Sequence, residues 1–319
     1  YGAAISAEKI PVTLTNVKIN DNMTSGNGTV YVTESSLVVK DSEFKQNSAS
    51  SGGAIYLNKP TADCLFQNTL FDGNQSTATS KFATNGGGAV LINAIPNNRN
   101  LQFENITAIN NSAKYNGGAL SLNASGANEI HVEISGRIEN NTAENNGGGI
   151  IVNQGLLNMT GGTIRGNHAT KLGGGVYVQG YKAVVNFDGG TIIGNHSAVY
   201  GGGVNVSDKG TVNFGLYDGR TLVTQNTSVS EGGGICYEYS SQGKIYLATF
   251  TDNESTANSM YVSGGAISIQ QNASVEMKNL YASGNRSTSG YAHYGALYTC
   301  PTGETAIFEI NGALIIDNK

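Results

Sequence analysis

Ile192-Ile193-Gly194-Asn195-His196-Ser197-Ala198-Val199-Tyr200-Gly201-Gly202-Gly203-Val204-Asn205-Val206 decides the fold, because the chain repeats the pattern of this stretch along its length. The first half is a large apolar residue, two variable residues and an asparagine. The second half is a pair or triple of glycines before a short run in which apolar residues alternate with others. Such a repeat has to be recognised before any local element is assigned, since each copy is one structural unit.

The two halves alternate in constant order. The glycine half occurs eleven times, at steps of 25 to 34 residues, and the asparagine half also occurs eleven times. The residue three positions before the asparagine is Phe in three copies and Ile, Val or Ala in the other eight. The repeated asparagines are Asn22, Asn47, Asn74, Asn111, Asn141, Asn167, Asn195, Asn226, Asn253, Asn285 and Asn318.

The repeat predicts strands rather than helices. Runs such as Ala54-Ile55-Tyr56-Leu57 and Val176-Tyr177-Val178 alternate with a period of two, and Gly, Asn, Ser and Thr fill the turns between them. A unit of short strands and turns fits one coil of a parallel β-helix. We therefore predict an all-β fold: a single right-handed parallel β-helix of about eleven coils, one domain over 1–319, roughly 50 Å long by strand spacing.

Each repeated residue then has a physical role. The large apolar residue points inward and stacks on its equivalents, and the asparagine forms a ladder of amides at a turn. The glycines provide backbone angles that a β-carbon would forbid, or let neighbouring coils approach closely. In the strand after the glycines, Val204 and Val206 are predicted to face inward and Asn205 outward.

Composition excludes several classes of function. Only 13% of the residues are charged and the net charge is −5, with no Lys/Arg cluster, so we expect no nucleic-acid partner. No apolar run approaches the roughly 18–20 residues of a membrane span. Tyr1 is not an initiator methionine, so we expect a processed or excised chain.

The motifs resemble those of the chlamydial polymorphic outer-membrane proteins, whose passenger regions are β-helical adhesins. The resemblance is clearest where Phe44-Lys45-Gln46-Asn47 precedes Gly52-Gly53-Ala54-Ile55, and the Phe form returns at Phe71 and Phe250. The resemblance implies a β-helix at the cell surface, exposed to the extracellular space, with adhesion as its activity. Eight copies depart from the Phe form, and we expect no membrane-barrel domain of the family's kind within these 319 residues.

The sequence offers no catalytic constellation. The acids near ladder asparagines, Asp21, Asp72, Asp252 and Asp317, belong to distant coils. His168 and His196 occupy the same slot of neighbouring copies, where they form either a metal-binding pair or two solvent-facing residues. The glycine-rich stretches are not followed by a helix, so they form no phosphate or dinucleotide motif. We therefore expect no enzyme, no metal and no cofactor.

Sequons and cysteines suggest two kinds of modification. Sequons that coincide with the ladder are expected to be buried, so the candidate glycosylation sites are the five on turns or outward strand positions. The cysteines Cys64, Cys236 and Cys300 lie too many coils apart to pair within the chain, which leaves free thiols or an interchain bond. The candidate sequons are Asn27, Asn123, Asn158, Asn205 and Asn272.

The chain starts within a glycine half and stops just after an asparagine half, without a recognisable cap at either end. We expect these ends to stack, either head-to-tail with another copy or on further coils of a longer solenoid. The residues expected at the stacking ends are Tyr1, Gly2, Ile5, Ile315 and Asn318.

Two functions of different class follow from these features. The first is a structural rod that assembles into a fibre or coat. The second is an adhesin passenger that binds a host or cell receptor, or a glycan, through loops at 59–63, 75–85, 93–100 and 254–263 and through a tyrosine-rich end. A polysaccharide lyase or hydrolase is a third reading.

Overall fold

The computed structural model describes residues 4–79, 86–95, 99–124, 130–256, 263–288, 293–300 and 308–319. In these ranges every regular element is a β-strand and none is a helix, and neighbouring strands pair in parallel. The strands stack as a β-solenoid of about eight turns, which confirms the predicted all-β parallel β-helix. Right-handed coiling stays a prediction.

Sheet 1 consists of the strands that follow the glycines. It has eleven strands, and its successive members pair in register, as Val176 does with Val204 and Val204 with Ile235. Its strands are Ile5–Glu8, Val30–Thr33, Ile55–Asn58, Val90–Ile95, Leu120–Ala124, Ile150–Val152, Val176–Gln179, Val204–Ser207, Ile235–Tyr237, Ile267–Gln270 and Leu297–Cys300.

Sheet 2 contains two rows of strands. Two long strands run through both rows and so join them into one sheet of twenty strands. The first row is Val12–Thr15, Leu37–Lys40, Cys64–Gln67, Arg99–Ile109, Ile130–Glu139, Gly155–Met159, Ala183–Phe187, Thr211–Phe214, Gln242–Tyr246, Ser274–Lys278 and Phe308–Asn311. The second row is Lys18–Asn20, Glu43–Lys45, Leu70–Asp72, the ends of the two long strands Arg99–Ile109 and Ile130–Glu139, Thr163–Arg165, Thr191–Ile193, Thr221–Thr224, Ala248–Thr251, Tyr281–Ser283 and Leu314–Ile316.

Sheet 3 consists of nine two-residue strands that follow the ladder asparagines. Sheet 4 is a single short pair, Ser263–Gly264 with His293–Tyr294. The strands of sheet 3 are Ser48–Ala49, Gln75–Ser76, Ser112–Ala113, Thr142–Ala143, His168–Ala169, His196–Ser197, Thr227–Ser228, Glu254–Ser255 and Arg286–Ser287.

The number of turns is slightly lower than the eleven coils predicted. In the described residues the first and last coils have strands in sheets 1 and 2 but none in sheet 3, so they are incomplete turns. Counting sequence motifs therefore overestimates the number of closed coils.

The interior is one continuous apolar column. Phe44 stacks on Phe71 with ring centroids 5.3 Å apart, and Phe66 stacks on Phe103 at 4.5 Å. Each inward residue meets its equivalent in the next coil because the parallel register repeats the same offset. Aromatic stacking of this kind adds to the free energy gained by burial.

The outer side of sheet 1 is covered as well. We call the segment between sheet 3 and sheet 1 in each coil the glycine arm, for example residues 198–203. A β-carbon added at Gly201 would lie 2.7 Å from the β-carbon of Asn205, so the arm folds against that outward residue. Asn205 is fully buried there, whereas alternation alone predicted an exposed position.

Candidate functional site: the asparagine ladder and the outer faces

The eleven repeated asparagines form one column along the rod. In each of the ten steps, Nδ2 of one asparagine donates to Oδ1 of the next at 2.9 or 3.0 Å. The nine asparagines from Asn47 to Asn285 are fully buried. The ladder is therefore an interior hydrogen-bond chain, and its sequons are inaccessible.

Asn167 shows how each rung is satisfied. Its Nδ2 donates to Asn195 Oδ1 and to the backbone carbonyl of Ile138, both at 2.9 Å. Its Oδ1 accepts from the side chain and the backbone N–H of Asn141. These four bonds use every donor and acceptor position of the amide, which removes the penalty of burying it.

The residue before each ladder asparagine has a left-handed backbone, which the sequence reading missed. All eleven have φ between 51° and 68°. Asn, Asp and Gly tolerate this conformation best, so their enrichment in this slot was the available signal. The corner residues are Asp21, Gln46, Gly73, Asn110, Asn140, Gly166, Gly194, Gln225, Asp252, Gly284 and Asp317.

The glycines of one motif have different roles. Gly117 has φ of 65°, where a side chain is strained. A β-carbon on Gly118 would lie 2.0 Å from the carbonyl oxygen of Gly148 in the next coil and 2.7 Å from the backbone of Thr142. Both predicted roles of the glycines, special backbone angles and close approach, therefore occur at consecutive positions.

The residues expected at the stacking ends are only partly visible. Tyr1 and Gly2 lie outside the described residues, and Ile5 is half-buried. In the last described coil, Ile315 is 40% exposed although its partner in the preceding coil, Ala282, is buried. Asn318 Nδ2 bonds only to backbone carbonyls, so its side chain has no following rung among the described residues.

The candidate glycosylation sites differ in exposure. Asn205 is completely buried and Asn123 is only 6% exposed, with its Oδ1 accepting from Asn153. A glycan cannot be accommodated at either position in the folded chain. The remaining three, which are half-buried, are Asn27, Asn158 and Asn272.

The chemistry-bearing side chains stay dispersed. His168 and His196 stack with ring centroids 5.0 Å apart, and His196 Nδ1 contacts Thr227 Oγ1 at 2.8 Å. Burial, and then His168, lower the pKa of His196. Across the described part of the chain, no three His, Cys, Asp or Glu groups are arranged to hold a metal ion.

The three cysteines are free thiols. Cys64 and Cys236 are buried, and Cys300 is exposed. Burial raises the pKa of the Cys64 thiol to about 11, which disfavours the reactive thiolate form at neutral pH.

A polar hollow of about 410 Å³ lies on sheet 2. Three neighbouring strands form it, with Asn213 paired to Lys244 and Lys244 to Glu276. Lys278 forms an ion pair with Glu276 and stands 4.8 Å from the centroid of the Tyr246 ring. Its lining residues are Thr211, Asn213, Gln242, Gly243, Lys244, Ser274, Val275 and Glu276.

The loops predicted to bind a partner are only partly described. Residues 80–85, 96–98 and 257–262 lie outside the described residues, as does Tyr291. At the tyrosine-rich end, the rings of Tyr294 and Tyr298 are 5.7 Å apart, and Tyr294 is 47% exposed. The described chain contains no helix long and apolar enough to cross a membrane.

Comparison with known proteins gives one match, to the model of a repeat family over residues 41–58. Among curated proteins and among solved structures, nothing matches the chain. The matched segment contains Phe44-Lys45-Gln46-Asn47 and Gly52-Gly53-Ala54-Ile55, the motif pair on which the resemblance rests. Residues 41–58 match the Chlamydia polymorphic membrane protein repeat, as the resemblance predicted.

Proposed function

We propose that this chain is the rigid β-helical rod of a cell-surface protein, extracellular and non-catalytic, with a structural and adhesive role. The observation that carries the proposal is the unbroken asparagine ladder, in which ten successive side-chain bonds join the eleven repeated asparagines. A fully satisfied buried chain of this kind stiffens a solenoid. The matched repeat belongs to a family named for membrane proteins, which supports the surface location.

Surface exposure is tested on intact cells of the source organism. Antibodies raised against the purified chain should label unpermeabilised cells, and protease treatment of those cells should remove the signal. Scattering from the purified chain should indicate a rod roughly 50 Å long. Labelling only after permeabilisation would contradict the surface role.

The adhesive role is proposed for the polar hollow on sheet 2. Amides, hydroxyls, one ammonium and one carboxylate line it, a mixture that suits the hydroxyl groups of a glycan or a polar receptor surface. Replacing Gln242 and Lys244 together by Ala should weaken binding of the chain to host cells. The exposed Lys209→Ala is the matched control, and equal binding by all three proteins would exclude this face.

Head-to-tail stacking is a second candidate, favoured by the last described coil. There Phe308, Ile310 and Ile315 are 42%, 37% and 40% exposed, although the residues with which they pair in the preceding coil are buried. A second copy, or further coils of a longer solenoid, would cover these side chains and extend the ladder from Asn318. Electron microscopy at increasing concentration tests this, since filaments with an axial repeat near the rod length support stacking and monomers contradict it. Ile315→Asp should abolish any filaments.

Glycosylation is proposed only for the half-buried sequons. Asn27, Asn158 and Asn272 are the positions at which mass spectrometry of the protein from its source should find glycans. A glycan on Asn205 in the folded protein would contradict the fold of the covering arm.

A further inference from the structure

Two glutamates lie buried on the covered outer face of sheet 1. Glu231 belongs to the glycine arm at 229–234 and is 4% exposed. Glu238 follows the strand Ile235–Tyr237 and is 1% exposed. Burial, and then the charges of Glu238 and Glu231, raise the pKa of the fully buried Cys236 thiol. The three groups therefore share one water-poor environment.

These acids lack the hydrogen bonds that buried carboxylates need. Oε2 of Glu231 and both carboxyl oxygens of Glu238 have no partner, and neither do the two amide atoms of Asn205. A hydrogen-bonding contact with the amide of Asn205 lowers the pKa of Glu238, but the geometry of this contact falls short of a regular hydrogen bond. Burying an ionised carboxylate in such a place costs roughly several kcal/mol of folding free energy, and burying its neutral form costs far less.

The surrounding groups provide no positive charge. Among the described residues no lysine or arginine acts on either carboxyl, and Lys244, the nearest lysine along the chain, is exposed. Burial and then Glu238 raise the pKa of Glu231 to about 8, and burial, with Asp208, raises that of Glu238 to about 7. The titratable groups that face the two acids from the packed strands and arms are Tyr177, Tyr200, Asp208, Cys236, Tyr239 and Tyr298.

Glu231 is also a structural link between neighbouring arms. Its backbone pairs with that of Tyr200, and its carbonyl accepts from Gly201 N–H at 2.9 Å. Gly202 N–H continues the series by donating to the Gly232 carbonyl at 3.1 Å. Because only 4% of Glu231 is exposed, hydration of a charge on its carboxylate favours movement of this part of the arm away from the sheet.

We propose that Glu231 and Glu238 form a proton-dependent clamp that, with both acids neutral, holds the glycine arms at 198–203 and 229–234 on the outer face of sheet 1 and releases them when the acids ionise. The interior apolar column is separate from the arms, but the last glycine of each arm touches the ladder: a β-carbon added at Gly203 would lie 3.2 Å from Asn226 Cγ. Release therefore concerns the part of each arm before this glycine. The rod itself persists while its covering arms open.

The sign of the pH dependence follows from the two states. With the arms open, both acids have ordinary pKa values near 4.5; with the arms closed, the values are about 7 and about 8. Below pH 4.5 both states are protonated, and the clamp is fully present. As the pH rises, the open state releases protons that the closed state retains, so closure weakens progressively until the pH has passed the closed-state values.

Hydrogen exchange and thiol labelling test the clamp in the full chain. Hydrogen exchange is measured at about pH 5 and at about pH 9 and corrected for intrinsic exchange. Between these two pH values, the protection of amides in 199–206 and 231–239 should fall at least about tenfold. Alkylation of Cys236, read by mass spectrometry in a Cys300→Ser background, should accelerate over the same range. Glu231→Gln with Glu238→Gln, which keeps shape and removes ionisation, should flatten the pH dependence of both readouts relative to wild type.

Glu133→Gln, at an exposed acid of sheet 2, is the matched control and should keep the wild-type response. Equal pH dependence in wild type and the double variant would overturn the clamp. Restoration of protection at about pH 9 by millimolar calcium in wild type alone would also overturn it, because the acids would then be cation ligands. Protection by protons alone supports the clamp.

Discussion

Tyr237 lies directly beneath Gly243: a β-carbon added to this glycine would stand 2.5 Å from the tyrosine hydroxyl oxygen and 2.6 Å from its ring. Tyr237 is fully buried, and its hydroxyl donates to the Val212 carbonyl at 3.0 Å. The interior therefore holds a tyrosine in an aliphatic column because the neighbouring strand has no side chain there.

Gly243→Ala should destabilise the protein by about 1–3 kcal/mol through overpacking. In a Tyr237→Leu background the same substitution should cost much less, since the smaller side chain frees the space. Denaturant unfolding of the four proteins of this cycle measures the coupling. Equal costs of the alanine in both backgrounds would show that the two residues do not compete for space.

Asn167→Ala should cost about 3 kcal/mol or more in unfolding free energy, because it leaves the Asn141 N–H groups and the Ile138 carbonyl unpaired in the interior. Asn140→Gly is the matched control one residue earlier: Asn140 is exposed with φ of 55°, which glycine adopts without strain. The denaturant midpoints of the two variants check this prediction. If Asn140→Gly lowers the midpoint as much as Asn167→Ala does, loss of the ladder bonds is not the cause of the destabilisation.

Gly118→Ala should be far more damaging than Gly194→Ala. The first places a methyl group 2.0 Å from the Gly148 oxygen, so two coils must separate, at a cost of about 3 kcal/mol or more. The second meets nothing within 4 Å and costs about 1 kcal/mol for its left-handed backbone alone. Thermal unfolding of the two variants decides the order, and similar melting temperatures would refute the close-approach role.

His196→Thr should remove part of the acid sensitivity of the rod. The folded-state pKa of His196 is lowered from 6.5, so its contribution to stability is present above that value and is lost as the pH falls. Threonine already occupies this slot at Thr227 in the next coil, which makes it a conservative replacement. Melting temperatures at about pH 7.5 and about pH 5.5 should differ less in the variant than in wild type. An unchanged difference would mean that other groups cause the acid loss.

Much of the fold follows from the sequence because its signals are local and repeated. The spacing from Asn195 to Gly201, with its equivalents, predicted the coil and the asparagine column. The count of closed turns was less predictable: a motif can be present at Asn22 or Asn318 although its coil has no strand in sheet 3. The corner slot before each asparagine was missed, although its Gly, Asn and Asp content signals a left-handed backbone.

The sequence by itself determined the parallel β-helix, its inward column and its ladder, because the period of two and the turn chemistry act within one coil and each copy repeats them. Only the tertiary structure decided which outward residues are exposed. Alternation placed Asn205 on the outside, and it does lie there, but the glycine arm covers it together with Glu231, Cys236 and Glu238. Burial of an outward side chain depends on how a distant segment packs, and no local period encodes that contact.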